Sequence, residues 1–235
     1  MFGGILFDRI EQETQKLTEL VESGKFKVFN LAKAFRNATE IYDLLNYLRN
    51  LAVKDSGFIK ANEMNFVPCY SNGIRLSGSI DLIEYNRPEE GHPDFRMALS
   101  AMSIQNLRKE NNIQDISLIR HVIPPQEISK TIETILGERV SVFHIGQIFS
   151  SEWCAVVYWL PHLESHQDVV AFSISLFRGI SRARSRLILI GDECTCKLFR
   201  KLLEDMKIHF NILNSGKIHP EILDKTPRLK YAKFY

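Results

Sequence analysis

Three arginines at alternating positions, Arg182, Arg184 and Arg186, run directly into the apolar stretch Leu187-Ile188-Leu189-Ile190, which stops at Gly191. A guanidinium is a planar fork of donors that stays charged at any relevant pH, so its natural partners are phosphate and carboxylate groups. The apolar run after it reads as a strand buried on both faces of a parallel sheet, and the arginines before it as the end of a helix. A helix-to-strand junction of that kind fixes the direction in which the forks point. The chemistry expected of the stretch is therefore the holding of phosphate oxygens at a sheet edge.

Composition sets the frame for that site. The chain has 235 residues, 45% hydrophobic and 25% charged, with 8 prolines, as an ordinary folded protein with a sizeable core has. A net charge of +2 is too small to argue for nucleic acid by itself, so only a local basic patch would do so. Cys69, Cys154, Cys194 and Cys196 form no CxxC pair and have no companion histidine spacing. A zinc site is not expected; the four read as reduced thiols of an intracellular protein, in cytoplasm or nucleus. The first residues lack the basic region and apolar length of a signal peptide, and no run reaches the roughly 18 apolar residues of a membrane span.

The elements follow in order. Residues 8 to 24 read as a charged amphipathic helix with a thin apolar stripe. A short strand at Lys27 to Leu31 precedes Ala34-Phe35-Arg36-Asn37-Ala38-Thr39-Glu40, where Asn37, Thr39 and Glu40 suit helix capping and Ile41, Leu44, Leu45 and Leu48 form a buried face. Residues 53 to 95 carry little signal beyond a turn at Ser71-Asn72-Gly73, one or two strands over Ile74 to Tyr85, and a polar loop with His92. Asp115 to Arg120 reads as a strand, Pro124 opens a helix that Gly137 ends, and Arg139 to Phe143 forms the next strand. That succession is a βαβ crossover and requires a parallel sheet. Residues 161 to 170 read as a polar loop in which His162 and His166 are too lightly accompanied to hold a metal. A helix from about Val169 delivers the arginines; a helix over Lys197 to Met206 and a strand over His209 to Leu213 follow. The end from Pro220 to Tyr235 interleaves Lys225, Arg228, Lys230 and Lys233 with aromatics and reads as a loosely ordered tail.

Phe177, Gly179, Ile180, Ser181, Arg182, Ala183 and Arg184 fill the pattern of one helicase motif: an aromatic, a small residue, an aliphatic, Ser or Thr, then Arg-Ala and a basic residue. The stretch resembles superfamily 1 helicases of the UvrD/Rep-like group and, more distantly, Schlafen-type helicase domains. Phe35 and Arg36 match a second motif of that family, in which an aromatic-arginine pair opens a helix. His144 to Trp153 resembles a third, T-x-H-x-x-K-G-L-E followed by an aromatic, with Glu152 and Trp153 on its Glu-aromatic pair. It departs from that motif at His144, Gly146, Phe149 and Ser150, which replace Thr, His, Lys and Gly.

The resemblance covers roughly residues 25 to 213 and implies the second, C-terminal RecA-like domain of such an enzyme, a P-loop NTPase-type α/β domain with a mainly parallel sheet flanked by helices. It divides the chain into an N-terminal helix (1–24), that domain (25–213) and a basic, aromatic tail (214–235). It implies that Arg36 and Arg182 act as arginine fingers in ATP hydrolysis. Phe35 would stack on the base, Glu152 bond the ribose and Arg184 contact the nucleotide. Ser150, Trp153 and His144 would face single-stranded DNA or RNA. No G-x-x-x-x-G-K-S/T loop is present, so the phosphate cradle and Mg²⁺ are expected from an N-terminal RecA-like domain in cis or in trans, with no turnover by this chain alone. The alternative is a degenerate RecA-like module that has kept the fold for protein interaction and lost the chemistry.

Overall fold

The computed structural model describes residues 19, 23, 33–34, 37–55, 71–72, 77–86, 91–109, 111–121, 125–148, 151–214 and 218–228. Phe35, Arg36, Phe149, Ser150, the strand expected at Lys27 to Leu31 and nearly all of the helix expected over residues 8 to 24 lie outside them. So do residues 229–235 of the tail.

The elements are β1 (Lys33–Ala34), α1 (Thr39–Asp55), β2 (Ser71–Asn72), β3 (Ser79–Tyr85), α2 (Phe95–Lys109), β4 (Ile116–Arg120), α3 (Pro125–Leu136), β5 (Ser141–His144), β6 (Trp153–Trp159), α4 (His166–Ile180), β7 (Ala183–Asp192), α5 (Glu193–Asp205), β8 (Asn211–Asn214) and α6 (Pro220–Lys225). A single 3₁₀ turn, Ile145–Gln147, follows β5. Six strands form one sheet in the order β5-β4-β6-β7-β3-β8, parallel at every pairing. The fold is thus α/β with a parallel sheet flanked by helices, the class expected from the βαβ succession.

Both faces of the sheet are covered, which is why Leu187 to Ile190 of β7 and Ala155 to Val157 of β6 are apolar without a break. Leu187 and Leu189 of β7, Val156 and Tyr158 of β6, and Ile80 and Leu82 of β3 face α1, α4 and α5. Ile188, Ile190, Val157, Trp159 and Ile83 face the other way, onto α2, α3 and α6. The period of two thus splits one hydrophobic run between two cores. The helices joining β6 to β7 to β8 lie on the first face, and those joining β3 to β4 to β5 on the second.

Several boundaries differ from the sequence reading, each for a local reason. α4 begins at His166 rather than near Val169, because Ser165 and Asp168 form a reciprocal capping box. The backbone N–H groups of Glu164 and Ser165, bonded to the Asp168 carboxylate, hold its pKa below the ordinary value. α5 begins at Glu193 rather than Lys197, because the buried Asp192 carboxylate accepts from the Thr195 N–H (2.9 Å) as N-cap. Ser71–Asn72, read as a turn, is a two-residue strand paired in parallel with Lys33–Ala34. The region read as a tail contains α6, whose Ile222 is buried in the second core. Arg228 then bridges to Pro93.

Gly179 shows how closely α4 lies on the sheet. A Cβ at this position would fall well inside van der Waals contact of the buried Tyr158 ring. Gly179→Ala is therefore expected to lower the unfolding free energy by about 1–3 kcal/mol, as overpacking of a filled core does, read as a lower urea midpoint at unchanged m-value.

Candidate functional site: the arginine turn at the amino ends of β6 and β7

The arginines do not sit at the end of a helix. α4 stops at Ile180, Arg182 lies in the two-residue turn before β7, and Arg184 and Arg186 are already in the strand. Gly179 and Phe177 carbonyls cap the helix through the Ser181 N–H. The change of backbone matters, because alternate residues of a strand share a face whereas alternate residues of a helix diverge by about 200°. In β7 that alternation is interrupted, since the pairing with β6 shifts register between Ala183 and Arg186.

Each arginine has defined partners. Arg182 is half-buried; its Nε donates to the Arg178 carbonyl (3.2 Å) and its Nη1 to the Ser151 carbonyl (3.2 Å). These bonds fix the plane of the guanidinium against the end of α4 and the start of β6. Arg184 is exposed and pairs with Asp115 (2.7 Å), whose carboxylate also accepts from the Cys154 N–H (2.9 Å). An ion pair this open to water contributes little stability, so its guanidinium can exchange partners at low cost. Arg186 turns to the Ser79 hydroxyl of β3 (2.6 Å).

Glu152 and Trp153 arrive at the same place through the sheet register. The Trp153 N–H donates to the Arg182 carbonyl (2.9 Å), and Trp153 pairs with Ala183 at the start of the β6–β7 ladder. Glu152, one residue earlier, is exposed beside the Ser151 carbonyl that holds Arg182. The Trp153 ring is half-buried and packs on Phe143 at 5.1 Å between centroids. His144, next to Phe143, caps the 3₁₀ turn: its Nδ1 accepts from the Gly146 N–H (3.1 Å) and its Nε2 donates to the His121 carbonyl (2.6 Å).

Asn37 completes the group. The sequence reading found it suitable for capping α1; its side-chain amide also donates to the carbonyls of Ser181 (3.2 Å) and Ala183 (2.6 Å). The next residue, Ala38, donates its N–H to the Arg184 carbonyl (2.7 Å). Glu40 accepts from the Gly78 N–H (2.7 Å), drawing β3 into the same corner. The segment that directly follows Phe35-Arg36 is thus bonded to the arginine turn. Sequence reasoning missed Asn37 and Asp115, since neither carries a pattern of its own; the one available signal was the position of Asn37 immediately after Arg36.

The opposite sheet edge has a different character. β4 leads to β5 on one side and β6 to β7 on the other, so the topological switch point lies at the carboxyl ends of β4 and β6, where doubly wound sheets generally bind their ligands. His121, Tyr158 and Phe172 meet there, with ring centroids 5.5 and 6.0 Å from His121. His121 Nε2 and the Tyr158 hydroxyl are hydrogen-bonded. On the second face the Arg96 and Arg120 guanidiniums lie over the Trp159 ring at 4.8 and 5.4 Å. His162, in the loop after β6, sits between the carboxylates of Asp192 (2.7 Å) and Glu164 (2.8 Å), and His166 bonds the Tyr47 hydroxyl (3.1 Å). Among the described residues no group of three or more His, Cys, Asp or Glu side chains could hold a metal, and no helix is long and apolar enough to cross a membrane.

No family model and no curated protein matches the chain. Among solved structures, the chain is similar to the C-terminal domain of a possible DNA helicase from Lactobacillus plantarum WCFS1. The similarity has 12% identity, covers 76% of this chain and 98% of that one, and gives a TM-score of 0.49. The fold assignment rests on the strand order and register given above, independently of that likeness.

Burial holds His121 near pKa 4, with His144 adding a smaller push in the same direction. In the unfolded chain this histidine titrates near 6.5, so between about pH 6.5 and 4 the unfolded state binds more protons than the folded one. Its contribution to stability is complete above pH 6.5 and is lost as pH falls toward 4. Thermal midpoints measured across that window should fall for the wild type and fall less steeply for His121→Gln.

Proposed function

We propose that this chain is the C-terminal RecA-like half of a nucleic-acid-dependent ATPase of superfamily 1, presenting arginine fingers to ATP whose phosphates and Mg²⁺ are held by another domain. One observation carries the reading. Two stretches that resemble separate helicase motifs, ending at Trp153 and Arg184, are hydrogen-bonded at one sheet edge, and Asn37, directly after the Phe35-Arg36 pair of a third, is bonded to the same turn although 146 residues separate it from Ala183 in sequence. Residues scattered through a chain for unrelated reasons have no cause to meet.

The chemistry of the donor set fits a nucleoside triphosphate. Guanidiniums suit phosphate oxygens, and the exposed Glu152 carboxylate suits ribose hydroxyls. The position fits as well. These groups stand at the amino ends of β6 and β7, away from the carboxyl edge where a doubly wound domain holds a ligand of its own, and there would be open to a second domain. Arg182, already fixed in plane by two main-chain carbonyls, would stabilise charge developing on the transferring phosphoryl group, an effect of about 10³-fold or more for a well-placed finger. Arg184 would exchange Asp115 for a phosphate oxygen. Phe35 and Arg36, which lie outside the described residues, would supply the base contact and the second finger. A bound ATP would provide the reactive phosphoanhydride; this chain would orient it and balance its charge. Single-stranded DNA or RNA would cross His144, Ser150 and the neighbourhood of Trp153.

The second reading is a degenerate module that keeps the fold for protein contacts. The same two carbonyl bonds favour it, because they give Arg182 a structural use that requires no nucleotide. Calorimetric titration of the full chain with ATP and with AMP separates the two. A finger site is expected to bind ATP at least tenfold more tightly than AMP, and Arg182→Ala to remove most of that preference, since a hydrogen bond to a charged group is worth about 1.5–3 kcal/mol. Equal affinity for ATP and AMP would select the degenerate module. Anisotropy of a labelled single-stranded oligonucleotide should rise on titration at low salt and weaken as salt is raised, with duplex binding less tightly. No binding at low salt would remove the nucleic-acid half of the proposal.

A further inference from the structure

We infer that Asn37 is the positioning residue of the arginine site: its buried amide sets the path of the Ser181–Ala183 turn and thereby the aim of Arg182, without touching the nucleotide itself. The inference rests on the polyphosphate reading above and extends it to a residue that neither charge nor motif singles out.

A primary amide has two N–H donors, and both acceptors of Asn37 are main-chain carbonyls that flank Arg182, one before it and one after. With 6% of its surface exposed, Asn37 cannot be the first group to meet a phosphate, so any effect on binding must pass through the turn. The packing around it leaves little room to compensate. A Cβ at Gly78 would lie 2.5 Å from the Ala38 Cβ and 2.6 Å from the Ser185 carbonyl, so β3 is seated directly against this corner. The Gly78 N–H is bonded to Glu40, in the first turn of α1. Because Asn37 also follows Arg36 directly in the chain, one side chain connects the two segments assigned to arginine fingers. Asp in its place would offer no donor at neutral pH, Ala would offer none at all, and Ser would offer one on a shorter arm.

ATP and AMP affinities of the full chain provide the test, because the ratio between them reports contact with the terminal phosphates and is not changed by a uniform loosening of the fold. Asn37→Ala is expected to weaken ATP binding about tenfold with AMP unchanged, and Asn37→Ser to fall between it and the wild type. The double variant Asn37→Ala/Arg182→Ala should bind ATP no more weakly than Arg182→Ala alone, since the two residues act through one contact. If Asn37→Ala keeps the wild-type ratio, or weakens ATP and AMP alike, Asn37 is only a structural staple and the inference is wrong while the finger reading stands. If Arg182→Ala itself keeps the ratio, Arg182 does not face the phosphates and both fail together. Should Asn37→Ala not fold, Asn37→Ser decides by the same ratio.

Discussion

Four consecutive main-chain carbonyls, those of Ser181, Arg182, Ala183 and Arg184, all accept hydrogen bonds from outside their own segment. The donors are the Asn37 amide, the Trp153 N–H, the Asn37 amide again and the Ala38 N–H. The chain must turn from a helix in the outer layer into the central strand of the sheet within two residues, and a polar backbone making that turn under cover needs partners. Supplying them draws the start of α1 and the start of β6 to the start of β7. The arginine site is a by-product of that requirement, since the side chains carried by these segments are brought together when their backbones are.

The two edges of the sheet divide the chemistry. The amino edge carries charged groups that are exposed or half-buried, with Arg184 and Asp115 open enough to exchange partners. The carboxyl edge near the switch point carries aromatic and imidazole groups, bonded to one another or held by charged partners, as Trp159 is under Arg96 and Arg120 and His162 is between Asp192 and Glu164. Burial keeps His121 neutral over most of the physiological range and pushes the Tyr158 hydroxyl upward, so neither becomes charged near neutral pH. Cys196, buried under Gly191 and the end of β3, is likewise driven up to about 12 and remains a thiol.

A guanidinium held by main-chain carbonyls serves two ends. The bonds from Arg182 to Arg178 and Ser151 tie α4 to the start of β6, which stabilises the corner, and they fix the plane of the fork before any ligand arrives. Under the proposed reading, binding a phosphate would then cost less side-chain entropy than it would for a free arginine. The departures at His144 and Gly146 belong to a different local structure. There the imidazole closes a capping box on a 3₁₀ turn, so its ring nitrogens serve the backbone.

The parallel sheet and the buried strand that follows the arginines were legible in the chain because they rest on short-range patterns. A fully apolar run such as Leu187 to Ile190 can be buried only on two sides, and a Pro-initiated helix between two strands forces a crossover. α2 had no such signal. Its buried set, Ala98, Leu99, Ser100, Ala101, Ser103, Ile104 and Leu107, runs round the helix and mixes small polar with apolar residues, so no stripe marks its inner face. The capping boundaries of α4 and α5 lay in single polar residues whose role depends on their bonding. What only tertiary structure decided is that Arg182 sits in a turn, that Arg184 answers Asp115, and that the Asn37 amide reaches a turn 144 residues away. Sequence determines which segments must be buried and in what periodicity; which polar groups meet depends on strand order, and strand order is a long-range property that no local pattern records.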